Sequence, residues 1–165
     1  MRREPIAMTL SWKNIRAYFW LILLSVGVGA LSGFLTKDSM QAYEQVPKSS
    51  LTPPSVVFPI VWTILFILMG IGAAMVLRSK SYEKGRALLV YGIQLIVNFF
   101  WSIIFFNLRA YLFAFVWLIL LWVLIVVMIR LFYKAHKPAG LLQLPYLLWV
   151  SFAGYLNFVI WMKNK

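Results

Sequence analysis

The chain contains no cysteine, which removes disulfides, thiolate metal ligands and thiol nucleophiles at once. It has one histidine, His136, flanked by Lys134 and Lys137. A lone imidazole among cations reads as a solvated loop side chain, not as a metal or haem ligand. Acidic residues number 4 against 16 Lys and Arg. No charged side chain falls within 17–36, 49–77, 87–108, 110–129 or 138–162. Ion-coupled carriers and proton pumps place ionisable groups near the bilayer midplane, so that emptiness argues against both. Ser102 and Ser151 have no base to activate them, which argues against a hydrolase.

Each charge-free stretch is mostly Leu, Ile, Val, Phe and Trp, and each reaches the ~20 residues that a helix needs to cross a bilayer core. With 63% hydrophobic and 12% charged residues, the chain has too few charges for a soluble surface. Continuous apolar runs favour helices over a barrel, which would show alternating segments of about ten residues. The expected fold class is an all-α integral membrane protein, a bundle of five transmembrane helices forming one domain over 1–165. Spans are expected at about 17–36, 56–77, 87–106, 111–133 and 141–162, with one sizeable loop at 37–55.

The net charge of +12 invites a nucleic-acid reading, but the cations gather at span ends. Topology and anionic headgroups account for them, so no nucleic-acid partner is expected. The Lys/Arg bias predicts a cytoplasmic N-terminus by the positive-inside rule. The basic segment before the first span resembles a signal peptide, but the apolar run is too long and lacks a small-residue cleavage site, so an uncleaved span is expected.

Polar and aromatic residues inside the spans fall into stripes. In the third span Gln94, Asn98, Trp101 and Phe105 share a face. Amides cannot face lipid without partners, so this face should look inward, either tying helices together or lining a pocket. Phe58, Trp62 and Phe66 recur every four residues in the second span, and Pro145, Trp149, Ala153 and Asn157 in the fifth. One such stripe is ordinary packing. Three, with amides among them, point to an aromatic-lined cavity suited to flat ligands. Ser25, Gly29 and Gly33 give the first span a small-residue face, read as packing within the bundle.

The segment LTPPSVVFPIVWTILFILMG at 51–70 resembles the signature of the translocator protein family, the tryptophan-rich sensory proteins or peripheral benzodiazepine receptors. GALSGFLT at 29–36, NFFWSIIFF at 98–106 and PYLLWVSFAGYLN at 145–157 agree in order and spacing. The resemblance implies a five-helix bundle, usually a homodimer, with a pocket under the first loop that takes porphyrins and synthetic aromatic ligands. Position by position it implies ligand contacts from Tyr43, Pro53, Phe58, Trp62, Phe66, Asn98, Trp101, Trp149 and Ala153. It further implies a bacterial-type cell-membrane protein that senses, buffers or degrades tetrapyrroles of the protoporphyrin or haem type. For light-dependent degradation, Trp62 and Trp149 would be the redox-active indoles, with no metal and no cofactor required. Lys37 and Lys48 are candidates to meet ligand carboxylates. The alternative is a transporter of porphyrins or sterol-like lipids. Departures are Ala42 where Trp is common, Lys48-Ser49-Ser50 where Lys-Pro-Ser is usual, and Trp117 where many members have Asp. Tyr155 and Lys163 stand too far apart for the cholesterol consensus.

Overall fold

The computed structural model describes residues 12–165, with side chains described at 15–40 and 43–165. The basic positions Arg2 and Arg3, and the side chains of Lys13 and Ala42, lie outside these. Among the described residues all regular structure is helical: α1 (Trp12–Tyr43), α2 (Val57–Arg78), α3 (Lys84–Ser102), α4 (Tyr111–Ala135), α5 (Lys137–Leu141) and α6 (Leu144–Lys163). Five helical segments are long and apolar enough to cross a membrane, the fifth being α5 and α6 together. Backbone polar groups have no water partners in hydrocarbon, and only the internal bonding of a helix satisfies them segment by segment.

The charge gaps locate the spans but not their ends. The helix of α1 continues past the expected loop boundary at 37 as far as Tyr43. Residues 37–43 contain neither Pro nor Gly, so nothing stops the helix until Val46-Pro47. The covering loop is therefore about 44–56. The third span ends in a π-helical turn, Ile103–Asn107, closed by Leu108 N donating to the Ile103 carbonyl at 3.1 Å. The fifth span is split: Pro138 opens α5, Pro145 lies in the first turn of α6, and a turn at 142–143 separates them.

Glycines set the closest helix contacts. A Cβ on Gly70 would fall 2.7 Å from the backbone nitrogen of Ile22, so α1 and α2 approach backbone to backbone there. A Cβ on Gly140 would lie 2.7 Å from the nitrogen of Tyr133, which lets α5 lean on the end of α4. Polar ties cross the bundle between these seams. Ser25 Oγ and Tyr91 Oη lie 2.5 Å apart and join α1 to α3. Trp117 Nε1 donates to the Val97 carbonyl at 2.8 Å, joining α4 to α3. The hydrophobic effect drives little helix association in lipid, so close van der Waals packing of backbones and such bonds hold the bundle.

Candidate functional site

The bundle is solid at the Gly70 and Gly140 end and hollow at the other. A cavity of about 400 Å³ opens among the C-terminal half of α1, the N-terminal half of α2, the C-terminal part of α3 and the C-terminal half of α6. The sides formed by α2 and α3 are largely aromatic. Phe58, Trp62 and Phe66 on α2 and Trp101 on α3 all line it. The indoles of Trp62 and Trp101 are 6.2 Å apart and tilted by 34°, and Trp101 stacks on Phe105 at 5.3 Å. These distances lie in the favourable range for aromatic pairs.

The α1 wall is small. Gly29, Ala30, Ser32, Gly33 and Thr36 face the cavity. Gly29 is needed because a Cβ would strike the Phe66 ring, whereas one at Gly33 would meet nothing within 4 Å. Ser25 is fully buried beside Tyr91 and Gly29 lies against Phe66, so this part of the small-residue face packs into the bundle, whereas Gly33 is exposed on the open side of the cavity wall.

The π turn shapes the mouth. Its wider winding reduces the angle between successive side chains, so neighbouring residues both reach the same side. Phe105 and Phe106 meet edge to face at 4.9 Å, and both contact the Tyr43 ring, at 5.5 and 5.3 Å. Lys48 Nζ sits 4.5 Å from the Tyr43 ring centre and donates to the Glu44 carbonyl at 3.1 Å. Tyr43, at the end of α1 beyond the span, has its phenol pushed up to about 12, first by burial and then by neighbouring Tyr111. It is therefore a neutral hydroxyl at any physiological pH.

The loop over the cavity is held from the far end of the chain. Lys163 Nζ donates to the Lys48 carbonyl at 2.7 Å, and Asn164 Nδ2 to the Pro47 carbonyl at 3.2 Å. Asn107 Nδ2 bonds the Leu35 carbonyl at 3.1 Å and steadies the neighbouring part of α1.

The polar side of the site comes from α3 and α6. Asn98 lines the cavity and donates through Nδ2 to the Tyr146 hydroxyl at 2.7 Å. That hydroxyl donates onward to Gln94 Oε1 at 2.8 Å. Asn157, also at the cavity, accepts from Trp101 Nε1 at 3.4 Å and donates to the Tyr111 carbonyl at 2.9 Å.

Of the residues named from sequence, Tyr43, Pro53, Phe58, Trp62, Phe66, Asn98, Trp101 and Ala153 converge on the cavity. Trp149 does not line it. Its ring packs edge-on against Phe58 at 5.8 Å and against Phe152, beside an outer groove that includes Pro145 and Leu148. A four-residue period drifts by about 40° per repeat, and the buried line of α6 instead follows Tyr146, Val150, Ala153, Asn157 and Ile160. Spacings of four and three alternate along that line, which leaves Trp149 one step aside. Lys48 reaches the mouth, whereas Lys37 lies 4.7 Å over the Phe34 ring on α1. Met40, Glu44, Phe106 and Leu156 line the cavity without having been singled out. A hydroxyl in an otherwise apolar run was the available signal for Tyr146.

These features define an α-helical membrane protein with an aromatic-walled chamber opening beneath a tethered loop. The TspO/MBR family model matches residues 21–162, and the chain belongs to that family. It is 43% identical over 155 residues to the tryptophan-rich protein TspO of Chlorobaculum tepidum, covering 92% of this chain and 98% of that one. It is 32% identical to the tryptophan-rich sensory protein of Cereibacter sphaeroides, over 92% and 91% of the two chains. The human translocator protein is 30% identical over 143 residues, 85% of each chain.

Proposed function

We propose that this protein binds tetrapyrroles of the protoporphyrin or haem type in the cavity beneath the 44–56 loop, as a sensor, buffer or light-dependent degrader of them. The observation that carries this reading is the pairing of flat aromatic walls, Trp62 and Trp101 on facing helices, with a narrow polar edge at Asn98 and Asn157. Ring stacking supplies affinity for a planar conjugated ligand, and a few fixed polar groups orient it. Lys48 at the mouth offers a cation where peripheral carboxylates of such a ligand would emerge.

The test is a protoporphyrin titration of the purified protein in micelles, followed by illumination in air. Trp62→Ala should weaken binding about tenfold or more, because it removes a wall of the cavity, while Trp149→Phe should bind within about twofold of wild type. Equal binding by wild type and Trp62→Ala would refute the site. Bleaching of the bound pigment under light would identify a degrader, and an unchanged spectrum a sensor or buffer.

A further inference from the structure

Deep in the bundle a chain of hydrogen bonds runs from the cavity to a sulfur atom. Asn98 Nδ2 donates to Tyr146 Oη, Tyr146 donates to Gln94 Oε1, and Gln94 Nε2 donates to Met69 Sδ at 3.5 Å. Gln94 and Met69 have no measurable exposure, nor does Tyr146. The chain could in principle run either way, because an amide can flip and a hydroxyl both donates and accepts. Its far end decides. A thioether has lone pairs but no hydrogen, so it can only accept. Gln94 must turn its NH₂ toward Met69, which points its carbonyl at Tyr146. The single Tyr146 hydrogen is then committed to Gln94, and Tyr146 can only accept from Asn98. The Asn98 amide is thereby fixed with its nitrogen inward. Its Oδ1 receives no hydrogen bond from any described residue, and Asn98 lines the cavity.

We infer that Met69, Gln94 and Tyr146 are positioning residues that lock the Asn98 carbonyl toward the cavity, so that the site favours flat aromatic ligands bearing an N–H donor over those offering only an acceptor. This deepens the proposed binding function and rests on it. Unlocking the amide removes the preference without removing the aromatic walls, because a freed Asn98 can present either its carbonyl or its NH₂.

Carbazole and dibenzofuran test this directly. Both are flat tricycles of nearly the same shape, one with an N–H and the other with an ether oxygen. Isothermal titration in micelles, with micelle-only blanks, would give the affinity ratio of the two for each variant. Comparing ratios between variants cancels partitioning and any other cavity donors common to them. Wild type should favour carbazole about fivefold, the scale of one net hydrogen bond. Tyr146→Phe should bring the ratio to within about twofold of unity. Met69→Leu, a near-isosteric change that leaves every other bond of the relay in place, should lower it in the same direction should Tyr146→Phe fail to fold. A wild-type ratio at or below one, or the wild-type ratio retained in both variants, overturns the inference. So does failure of both tricycles to bind. Protoporphyrin measured in parallel separates the two ideas: its binding without a tricycle preference sinks the relay alone, whereas the preference without protoporphyrin binding sinks the choice of ligand and leaves the relay standing.

Discussion

Lys163, in the last turn of α6, donates from Nζ to the backbone carbonyl of Lys48, 2.7 Å away and 115 residues earlier in the chain. With Asn164 bonded to the Pro47 carbonyl, two side chains at one end of the protein hold the loop over the cavity. Removing both, in a Lys163→Ala/Asn164→Ala double variant, should raise the dissociation rate of bound protoporphyrin roughly three- to tenfold, with little change in helix content. Stopped-flow displacement measures the rate, and amide exchange should show faster exchange at 44–56. An unchanged rate would mean the loop does not gate the site.

Space on α1 is unevenly distributed, and that makes occupancy separable from stability. A side chain at Gly33 would project where nothing lies within 4 Å, on the cavity wall. Gly33→Leu should fill the chamber, cutting protoporphyrin affinity by about tenfold or more while leaving the melting temperature within a few degrees of wild type. Titration paired with thermal unfolding in micelles checks both halves of the statement.

Gly70 should behave in the opposite way. Its α-hydrogen faces the backbone of Ile22, which cannot rotate aside. Gly70→Ala should destabilise the protein by about 1–3 kcal/mol through overpacking. Gly27→Ala, with open space around the new methyl, should be neutral or slightly stabilising. Thermal melts of the two variants side by side give the comparison.

The Tyr43 phenol, raised from 10.0 to about 12, is protonated in both folded and unfolded chains below pH 10. Between those values the folded protein keeps a proton that the unfolded chain has released, so the stability Tyr43 contributes is lost as pH rises through that window. Melting temperature should therefore fall more steeply between pH 10 and 12 in wild type than in Tyr43→Phe. Any role of the hydroxyl in ligand binding should be flat from pH 6 to 9.

The charge-free runs made the five spans legible because hydrocarbon tolerates no unpaired charge, and inward amides made the α3 face legible for the same reason. Phe58, Trp62 and Phe66 could be read as one wall because α2 presents them over only two turns, before helical drift accumulates. Trp149 illustrates the limit: over the longer stripe from Pro145 to Asn157 the drift turns an apparent face away from the cavity. The π turn carried no local signal, since it depends on a change of hydrogen-bond partner at the end of an unbroken apolar run. The relay behind Asn98 joins residues on three helices, and the loop tether joins positions 115 and 117 residues apart. Neither is a pattern in any single window. Family resemblance brought Tyr43 and Pro53 into the site, which periodicity could not have done.

Gly70 against Ile22, Gly140 against Tyr133, and Gly72, where a Cβ would meet the Ala139 carbonyl at 3.2 Å, all lie away from the chamber. These close backbone approaches are thus gathered at one end of the bundle, while side chains alone tie the helices around the chamber at the other. A tetrapyrrole bound as proposed would therefore touch the chamber end alone and leave the contacts of the glycine seam in place. Changes that reshape the chamber can then be made without touching the seam that holds the fold.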